Sequence, residues 1–199
     1  MVQVKVVKGG GAGGKKKMSC ASIYASFSPP IRVGPYKKLK GRKGWQREHY
    51  PPCSNFHNSG RGGPKIGGCS GYSTDAAPTY LVFDGQKVGT QHRQLTESAR
   101  DLSKALESKG ENNSLKQWLD KGQKDIAESI NDNKKLKCDP ERDRKALAEA
   151  AAKCIRMEAE KYFKEKAKID ESTKLRNGQA QGKPPMRRGA AISAPRRSR

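Results

Sequence analysis

Three histidines and one glutamate are the residues of this chain whose types and spacing could do chemistry. His49, His57 and His92 are its only histidines, all within a stretch of 44 residues, and Glu48 directly precedes the first. Imidazole and carboxylate groups bind divalent metals, and an imidazole with a pKa of about 6.5 is also a suitable general base near neutral pH. The cluster predicts a small metal-dependent catalytic site, provided that the fold brings these residues together.

The elements that must position this cluster are predicted to be two short strands and a helix. Residues 45–50 and 78–83 are short extended segments, and the second is rich in β-branched and aromatic side chains. Residues 94–109 carry apolar side chains at spacings of four, three and four, which predicts one buried helix face. If the strands pair and the helix packs across them, His49 and His92 would face one another across a cleft.

Further helices are predicted beyond this region. Ser114 is a suitable cap for one helix, and residues 139–141 are a start signal for another that ends near residue 169. Short strands followed by a run of helices predict an α+β fold.

The positive charge is distributed unevenly along the chain. The 42 Lys and Arg and 20 Asp and Glu give a net charge of +22. Residues 1–96 carry 16 basic and 3 acidic side chains, residues 97–172 carry 18 and 17, and residues 173–199 carry 8 and none. An excess of cations outside a charge-balanced helical stretch predicts a polyanionic partner such as nucleic acid.

The apolar content argues against a membrane protein. Only 33% of the residues are hydrophobic, and no apolar run approaches the roughly 18 residues that a membrane span needs. The first residues also lack the apolar stretch of a secretory signal peptide. We therefore predict no membrane partner and a cytoplasmic location in the producing cell.

The cysteines do not form a recognisable framework. They are odd in number and widely spaced, without a C-x-x-C pair, which predicts reduced thiols rather than a disulfide scaffold or a zinc knuckle. The five are Cys20, Cys53, Cys69, Cys138 and Cys154.

The order of these residues resembles a known nuclease superfamily. Glu-His on a first strand, a histidine in a loop and a histidine at a helix start are similar to the HNH/endonuclease VII superfamily of ββα-metal nucleases, particularly the bacterial polymorphic-toxin branch with an acid-His-His-His signature. The similarity covers residues 45–106. It is carried by Arg47-Glu48-His49-Tyr50-Pro51-Pro52, Phe56-His57, Tyr72-Ser73, Ala77-Pro78-Thr79-Tyr80 and Gly89-Thr90-Gln91-His92-Arg93-Gln94-Leu95-Thr96.

The resemblance implies a role for each residue of the cluster. His49 would be the general base for an attacking water, and Glu48 and His92 would bind a divalent ion, expected to be Mg²⁺ with Zn²⁺, Mn²⁺ or Ni²⁺ as alternatives. His57 would be a third ligand or an orienting residue, a position that Asn55 or Asn58 could fill instead. The predicted phosphate contacts are Arg47, Arg61, Lys65 and Arg93.

The resemblance also implies a biological setting. The expected activity is endonucleolytic hydrolysis of DNA, or of RNA, by a toxin or effector that is exported by a specialised secretion route. It would act in the cytoplasm of a target cell and be neutralised by an acidic immunity protein. The alternative is a non-enzymatic basic nucleic-acid-binding protein, whose composition would be the same.

Four regions are predicted from these patterns. Residues 1–44 would be a basic Gly/Pro-rich arm or linker, and residues 45–110 a small ββα-metal nuclease core. Residues 111–172 would form a helical extension, and residues 173–199 a basic disordered tail.

Overall fold

The computed structural model of the chain describes residues 1–6, 14–59, 62–83, 90–139 and 141–179. Its mixture of small sheets and helices confirms the predicted α+β class. None of the described helices is long and apolar enough to cross a membrane. A π-helical segment, Tyr162–Ala167, continues the last helix. The elements are β1 (Val2–Val6), β2 (Gly14–Met18), α1 (Cys20–Ala25), β3 (Phe27–Ser28), β4 (Val33–Pro35), β5 (Trp45–His49), β6 (Pro78–Phe83), α2 (Gln91–Glu107), α3 (Leu115–Asp132), β7 (Lys137–Cys138) and α4 (Arg144–Lys161).

A three-stranded antiparallel sheet contains the first residues of the candidate site. Its strand order is β4-β6-β5, so β5 is an edge strand. Pro35 of β4 lies opposite Pro78 at one end of β6, and Trp45 of β5 lies opposite Phe83 at the other end. Helix α2 follows β6 and contacts it. The predicted order of strand, strand and helix is therefore present.

Two apolar clusters hold these elements together. The first joins β1, β6, α3 and α4, and it contains Tyr80 and Val82 of the central strand. The second joins the long β5–β6 connection to α2, α3 and the π-helical segment. Its aromatic rings stack closely, with Phe56 and Tyr72 ring centroids 4.0 Å apart. The sheet and the long loop are thus both packed against the helices.

The N-terminal region is part of the folded core, and its interpretation as an arm or linker is wrong for the residues that the structure describes. Val2 and Val4 are buried on alternate positions of β1, which contacts α4. Ile23 and Phe27 are also buried. The high Gly and Lys content of this region obscured a short apolar pattern whose packing partner lies more than a hundred residues away.

A disulfide bond joins Cys20 in α1 to Cys154 in α4, which corrects the prediction of reduced thiols. The two cysteines are 134 residues apart in the sequence. An odd number of scattered cysteines does not indicate which ones pair, because pairing depends on which helices pack together. Cys53, Cys69 and Cys138 are not disulfide-bonded.

Residues 173–179 are packed rather than tail-like. Thr173 accepts the backbone N–H of Leu115 at 2.9 Å, at the start of α3. Leu175 is buried, and the backbone N–H of Arg176 donates to the carbonyl of Asn55 at 3.0 Å. The described part of the predicted tail therefore belongs to the fold, and residues 180–199 lie outside the described residues.

Helix α3 has a capping box at its N-terminus. The Ser114 side chain accepts the backbone N–H of Gln117, and the Gln117 side chain accepts the backbone N–H of Ser114. We expect Ser114→Ala to lower the free energy of unfolding by about 1 kcal/mol, because it leaves a helix-end donor without its acceptor. Urea unfolding measures the loss. Ser108→Ala, at an exposed position beyond the end of α2, is the control and should change little.

Candidate active site

The candidate site lies where β5 meets the first turn of α2. Glu48 and His49 are the last two residues of β5, and His92 is the second residue of α2. Thr90 caps α2 with extended backbone, which starts the helix three residues earlier than the sequence pattern predicted. His92 therefore lies in the first turn of α2, at the helix start where the sequence placed it.

Glu48 and His92 are in direct contact. Nδ1 of His92 lies 2.7 Å from Oε2 of Glu48, and the side chains are 27% and 18% exposed, respectively. A carboxylate oxygen can only accept, so Nδ1 carries the hydrogen of this bond. The pair joins the edge strand to the helix in a position that solvent reaches, as a binding site for an ion or a substrate requires.

The surroundings of this pair on the sheet are apolar and helix-covered. Tyr80 lies opposite Glu48 in the register of β5 and β6 and is fully buried. Burial and then the charge of Glu48 raise the pKa of Tyr80 well above its ordinary value, so its phenol stays neutral. The neighbouring Tyr50 donates its hydroxyl to the backbone carbonyl of Trp118 in α3. This face of the sheet is therefore fixed by helix packing.

His49 lies on the opposite face of the sheet from Glu48. Successive residues of a strand point to opposite faces, so His49 shares its face with Arg47. Its ring stacks on Tyr36 with a centroid distance of 4.8 Å, and its Nε2 lies 3.0 Å from the carbonyl oxygen of Thr74. The expectation that His49 and His92 face one another is not met, because strand alternation turns them to different sides.

The contact with Thr74 fixes which nitrogen of His49 can accept a proton. A carbonyl oxygen only accepts, so Nε2 is the protonated nitrogen and Nδ1 is the basic one in the neutral ring. The residue is 6% exposed. His49 is thus held in one tautomer, but largely inside the protein.

His57 packs against Tyr72 of the second apolar cluster and is not part of the Glu48–His92 pair. It is 4% exposed, and its Nδ1 donates to the carbonyl oxygen of Gly63 at 2.6 Å. Its ring meets the ring of Tyr72 edge-on at 5.8 Å. Among the described residues its Nε2 has no hydrogen-bond partner. These contacts are typical of a residue that stabilises a loop.

The two asparagines that could replace His57 are placed differently. Asn55 is fully buried, with no side-chain hydrogen-bond partner in the described part of the protein. Asn58 is exposed and donates to the carbonyl of Lys65 at 3.3 Å. Asn58 is therefore the one that solvent reaches.

Three of the four side chains predicted to bind phosphate are engaged by other protein groups. Arg47 donates to the carbonyl of Tyr36 at 2.8 Å and lies over its ring. Lys65 donates to the carbonyl of Ser70 at 2.7 Å. The fourth predicted contact, Arg61, lies outside the described residues. Arg93 forms an ion pair with Glu97, one turn further along α2.

The Glu48–His92 donor pair fits an ion that needs few protein ligands. Within the described residues there is no group of three or more His, Cys, Asp or Glu side chains that could hold a metal. Zinc sites in proteins have about three or four protein ligands, whereas Mg²⁺ is bound by one or two carboxylates, water and substrate phosphates. Nδ1 of His92 and Oε2 of Glu48 lie 2.7 Å apart in a hydrogen bond, so the two side chains are close enough that one ion could contact both.

The comparisons with known proteins give no assignment. No family model, curated protein or solved structure matches the chain. The candidate site is therefore argued from its own residues.

Sequence reasoning missed the residues that hold His49. Tyr36 and Thr74 contact its ring from positions 13 and 25 residues away, and neither lies in a recognisable motif. The order of the elements was the signal that located Glu48 and His92. Nothing comparable indicated the contacts of His49.

Proposed function

We propose that this protein is a metal-dependent endonuclease that hydrolyses phosphodiester bonds in DNA or RNA. The observation that supports it is the Glu48–His92 contact, which joins the edge strand and the following helix of a strand-strand-helix unit. A carboxylate and an imidazole at this spacing are suited to a divalent ion that also binds a substrate phosphate. The net charge of +22 supports a polyanionic substrate.

Glu48 and His92 are proposed to hold the ion through Oε2 and Nδ1. The hydrogen that now lies on Nδ1 would pass to solvent, and the imidazole would bind as the neutral ring with its hydrogen on Nε2. When bound, the ion supplies positive charge to the phosphate and stabilises the leaving oxygen. His49 is proposed to accept the proton of the attacking water at Nδ1, because Thr74 holds the other nitrogen protonated. Because His49 is largely buried on the face opposite Glu48, this role requires the attacking water to lie at the edge of β5, which borders both faces.

Removing either member of the pair should strongly reduce cleavage. We expect Glu48→Gln and His92→Ala to slow nicking of supercoiled plasmid by about 100-fold or more in Mg²⁺ or Mn²⁺, because each removes one of two metal ligands. EDTA should abolish the activity. Glu97→Gln, a carboxylate on the same helix but outside the pair, is the matched control and should retain the activity of the unaltered protein.

A second measurement separates metal binding from catalysis. Titration with Mn²⁺, followed calorimetrically, should show at least tenfold weaker binding to His92→Ala than to Glu97→Gln. His49→Ala should bind Mn²⁺ normally but cleave slowly. The proposal would be contradicted if both Glu48→Gln and His92→Ala kept full activity. It would also be contradicted if the unaltered protein cleaved nothing with Mg²⁺, Mn²⁺, Zn²⁺ or Ni²⁺.

A second candidate is a nucleic-acid-binding protein without catalytic activity. It is favoured by the charge of the N-terminal region, since residues 1–47 contain no Asp or Glu. The plasmid experiment distinguishes the two candidates. Tight binding in EDTA with no cleavage in any metal would indicate the binding protein, and Glu48 and His92 would then be an ordinary strand–helix ion pair.

The proposal includes an acidic inhibitor protein, as expected for a toxin of this kind. A basic surface attracts an acidic partner, and such an association weakens as salt screens the charges. Loss of plasmid cleavage on adding a candidate inhibitor, with a salt-dependent association rate, would support this part of the proposal.

A further inference from the structure

The connection between β4 and β5, residues 36–44, is a cationic segment with a defined course, and is called the basic loop below. It contains no Asp or Glu, and the first acidic residue of the chain is Glu48. Its five cations lie within seven residues. They are Lys37, Lys38, Lys40, Arg42 and Lys43, all exposed.

The strand order dictates where the basic loop runs. The loop leaves β4 where Pro35 faces Pro78 and enters β5 where Trp45 faces Phe83, so it must travel the length of β6. Five residue steps of a strand measure about 17 Å. The first residue of the loop, Tyr36, stacks on His49, so the loop starts on the face opposite Glu48. Lys37 and Lys38 lie in a turn just after β4, and Arg42 and Lys43 lie just before β5, so cations are present at both ends of this span.

Contacts at both ends and a buried centre hold the basic loop in place. The backbone N–H of Lys37 donates to the carbonyl of Asp75 at 3.0 Å, and that of Trp45 donates to the carbonyl of Arg42 at 2.9 Å. Leu39, in the middle of the loop, is buried. A loop held in this way presents its cations at little cost in chain entropy when a ligand binds.

The cations of the basic loop differ from those of the helices. In the described residues, the cations of α2, α3 and α4 that form ion pairs have acidic partners on the helices or just before them, as in Arg93–Glu97 and Lys121–Asp125. Among all the residues that the structure describes, no ion pair involves a cation of the basic loop. Asp75 is the acidic residue whose backbone contacts the loop. The loop therefore keeps a local excess of positive charge.

We propose that the basic loop binds the phosphate backbone of the nucleic acid on which the protein acts. One strand of a duplex carries a charge about every 3.4 Å along the axis, so a span of about 17 Å faces about five phosphates. Since β5 is the edge strand, a backbone lying along that edge can reach the loop on one face and the Glu48–His92 pair on the other. The half-buried Trp45, with the Arg42 guanidinium 5.5 Å from its ring centre, borders the same edge.

The chemistry of the basic loop favours nucleic acid over an anionic membrane. Binding to a membrane surface combines basic residues with apolar side chains that enter the lipid. The only aliphatic side chain of the loop is Leu39, which is buried in the protein. A ligand made of regularly spaced phosphates needs no such insertion, because counterion release supplies the binding free energy.

The test measures binding without metal, so that it does not depend on cleavage. A fluorescent 20-base-pair duplex is titrated in EDTA at several salt concentrations, with a variant that changes all five loop cations to Gln. The matched control changes five exposed helical lysines to Gln and lowers the net charge equally. Those lysines are Lys104, Lys124, Lys145, Lys153 and Lys161.

The slope of log affinity against log salt is negative. We expect its magnitude to decrease by about 4 to 5 in the loop variant and by less than 1 in the control. A smaller variant, Lys38→Gln with Lys40→Gln and Lys43→Gln, should lower it by about 3. If the melting temperature of the five-residue variant differs from that of the unaltered protein, the three-residue variant is the one to compare with the control. Equal losses in the loop variant and the control would show that only net charge matters, and would overturn the proposal.

An unchanged slope in both loop variants would also overturn it, as would a loop-dependent loss of binding to phosphatidylserine vesicles without any change in duplex binding. The proposal rests on the proposed function for its ligand, but the two can fail separately. If the loop variant binds the duplex more weakly while Glu48→Gln and His92→Ala cleave fully, the proposed nuclease site is contradicted and the proposed binding surface is supported. If the loop variant binds normally while Glu48→Gln and His92→Ala are inactive, the binding surface is contradicted and the nuclease site is supported.

Discussion

Loss of the Cys20–Cys154 disulfide should lower the free energy of unfolding by about 4 kcal/mol. The bond closes a loop of 134 residues, and a cross-link over about 100 residues is worth roughly 4 to 5 kcal/mol in the chain-entropy account. It also attaches α1, and with it the buried N-terminal strand, to α4. Urea unfolding of Cys20→Ala/Cys154→Ala against the oxidised protein measures the loss.

Reductant provides the matched control for this prediction. Adding it should destabilise the unaltered protein but not the double alanine variant. Cys53→Ser, which changes a cysteine outside the disulfide, should respond to reductant as the unaltered protein does. The denatured oxidised chain should show three reactive thiols, rising to five after reduction. Five thiols before reduction, or identical unfolding with and without reductant, would contradict the pairing.

Replacing Gly122 with Ala should destabilise the protein by up to about 2 kcal/mol. An alanine in a helix interior is ordinarily more stable than glycine by about 1 kcal/mol. At Gly122, however, a Cβ would lie 1.5 Å from a ring carbon of Tyr50, whose hydroxyl is anchored on Trp118 in the same helix. Overpacking of this kind costs about 1 to 3 kcal/mol. The steric term therefore reverses the sign that helix propensity predicts, and thermal or urea unfolding measures the result.

Two comparisons test the cause of that loss. Gly41→Ala, at a position where a Cβ would meet nothing within 4 Å, should change stability by less than about 0.5 kcal/mol. Adding Gly122→Ala to a Tyr50→Ala variant should cost much less than adding it to the unaltered protein, because the clashing ring is gone. A stabilised Gly122→Ala protein would show that the Tyr50 ring does not occupy this position.

The helices were predictable because their signal is local. Leu95, Ala99 and Leu106 recur at helical spacing and are buried in α2, as predicted. The packing of residues 1–44 was not predictable in the same way. Val2 and Val4 are two apolar residues in a Gly- and Lys-rich region, and their burial depends on α4, which no local pattern relates to them.

The candidate site could be predicted in part. The order of two strands and a helix was enough to bring Glu48 to His92. It was not enough to place His49, because neighbouring residues on a strand point to opposite faces and the sequence does not show which face the helix covers. His57 and Arg47 have side chains suited to chemistry, but their contacts with Gly63 and Tyr36 come from loops whose course only the fold determines.

The covalent link between α1 and α4 also determines how the chain behaves after proteolysis. Any single cut of the backbone between Cys20 and Cys154 falls inside the covalent ring that the disulfide closes. Both pieces would remain attached, including β5 and α2 with Glu48 and His92. A nicked molecule should therefore migrate as an intact chain in non-reducing electrophoresis and separate into two fragments only after the disulfide is reduced.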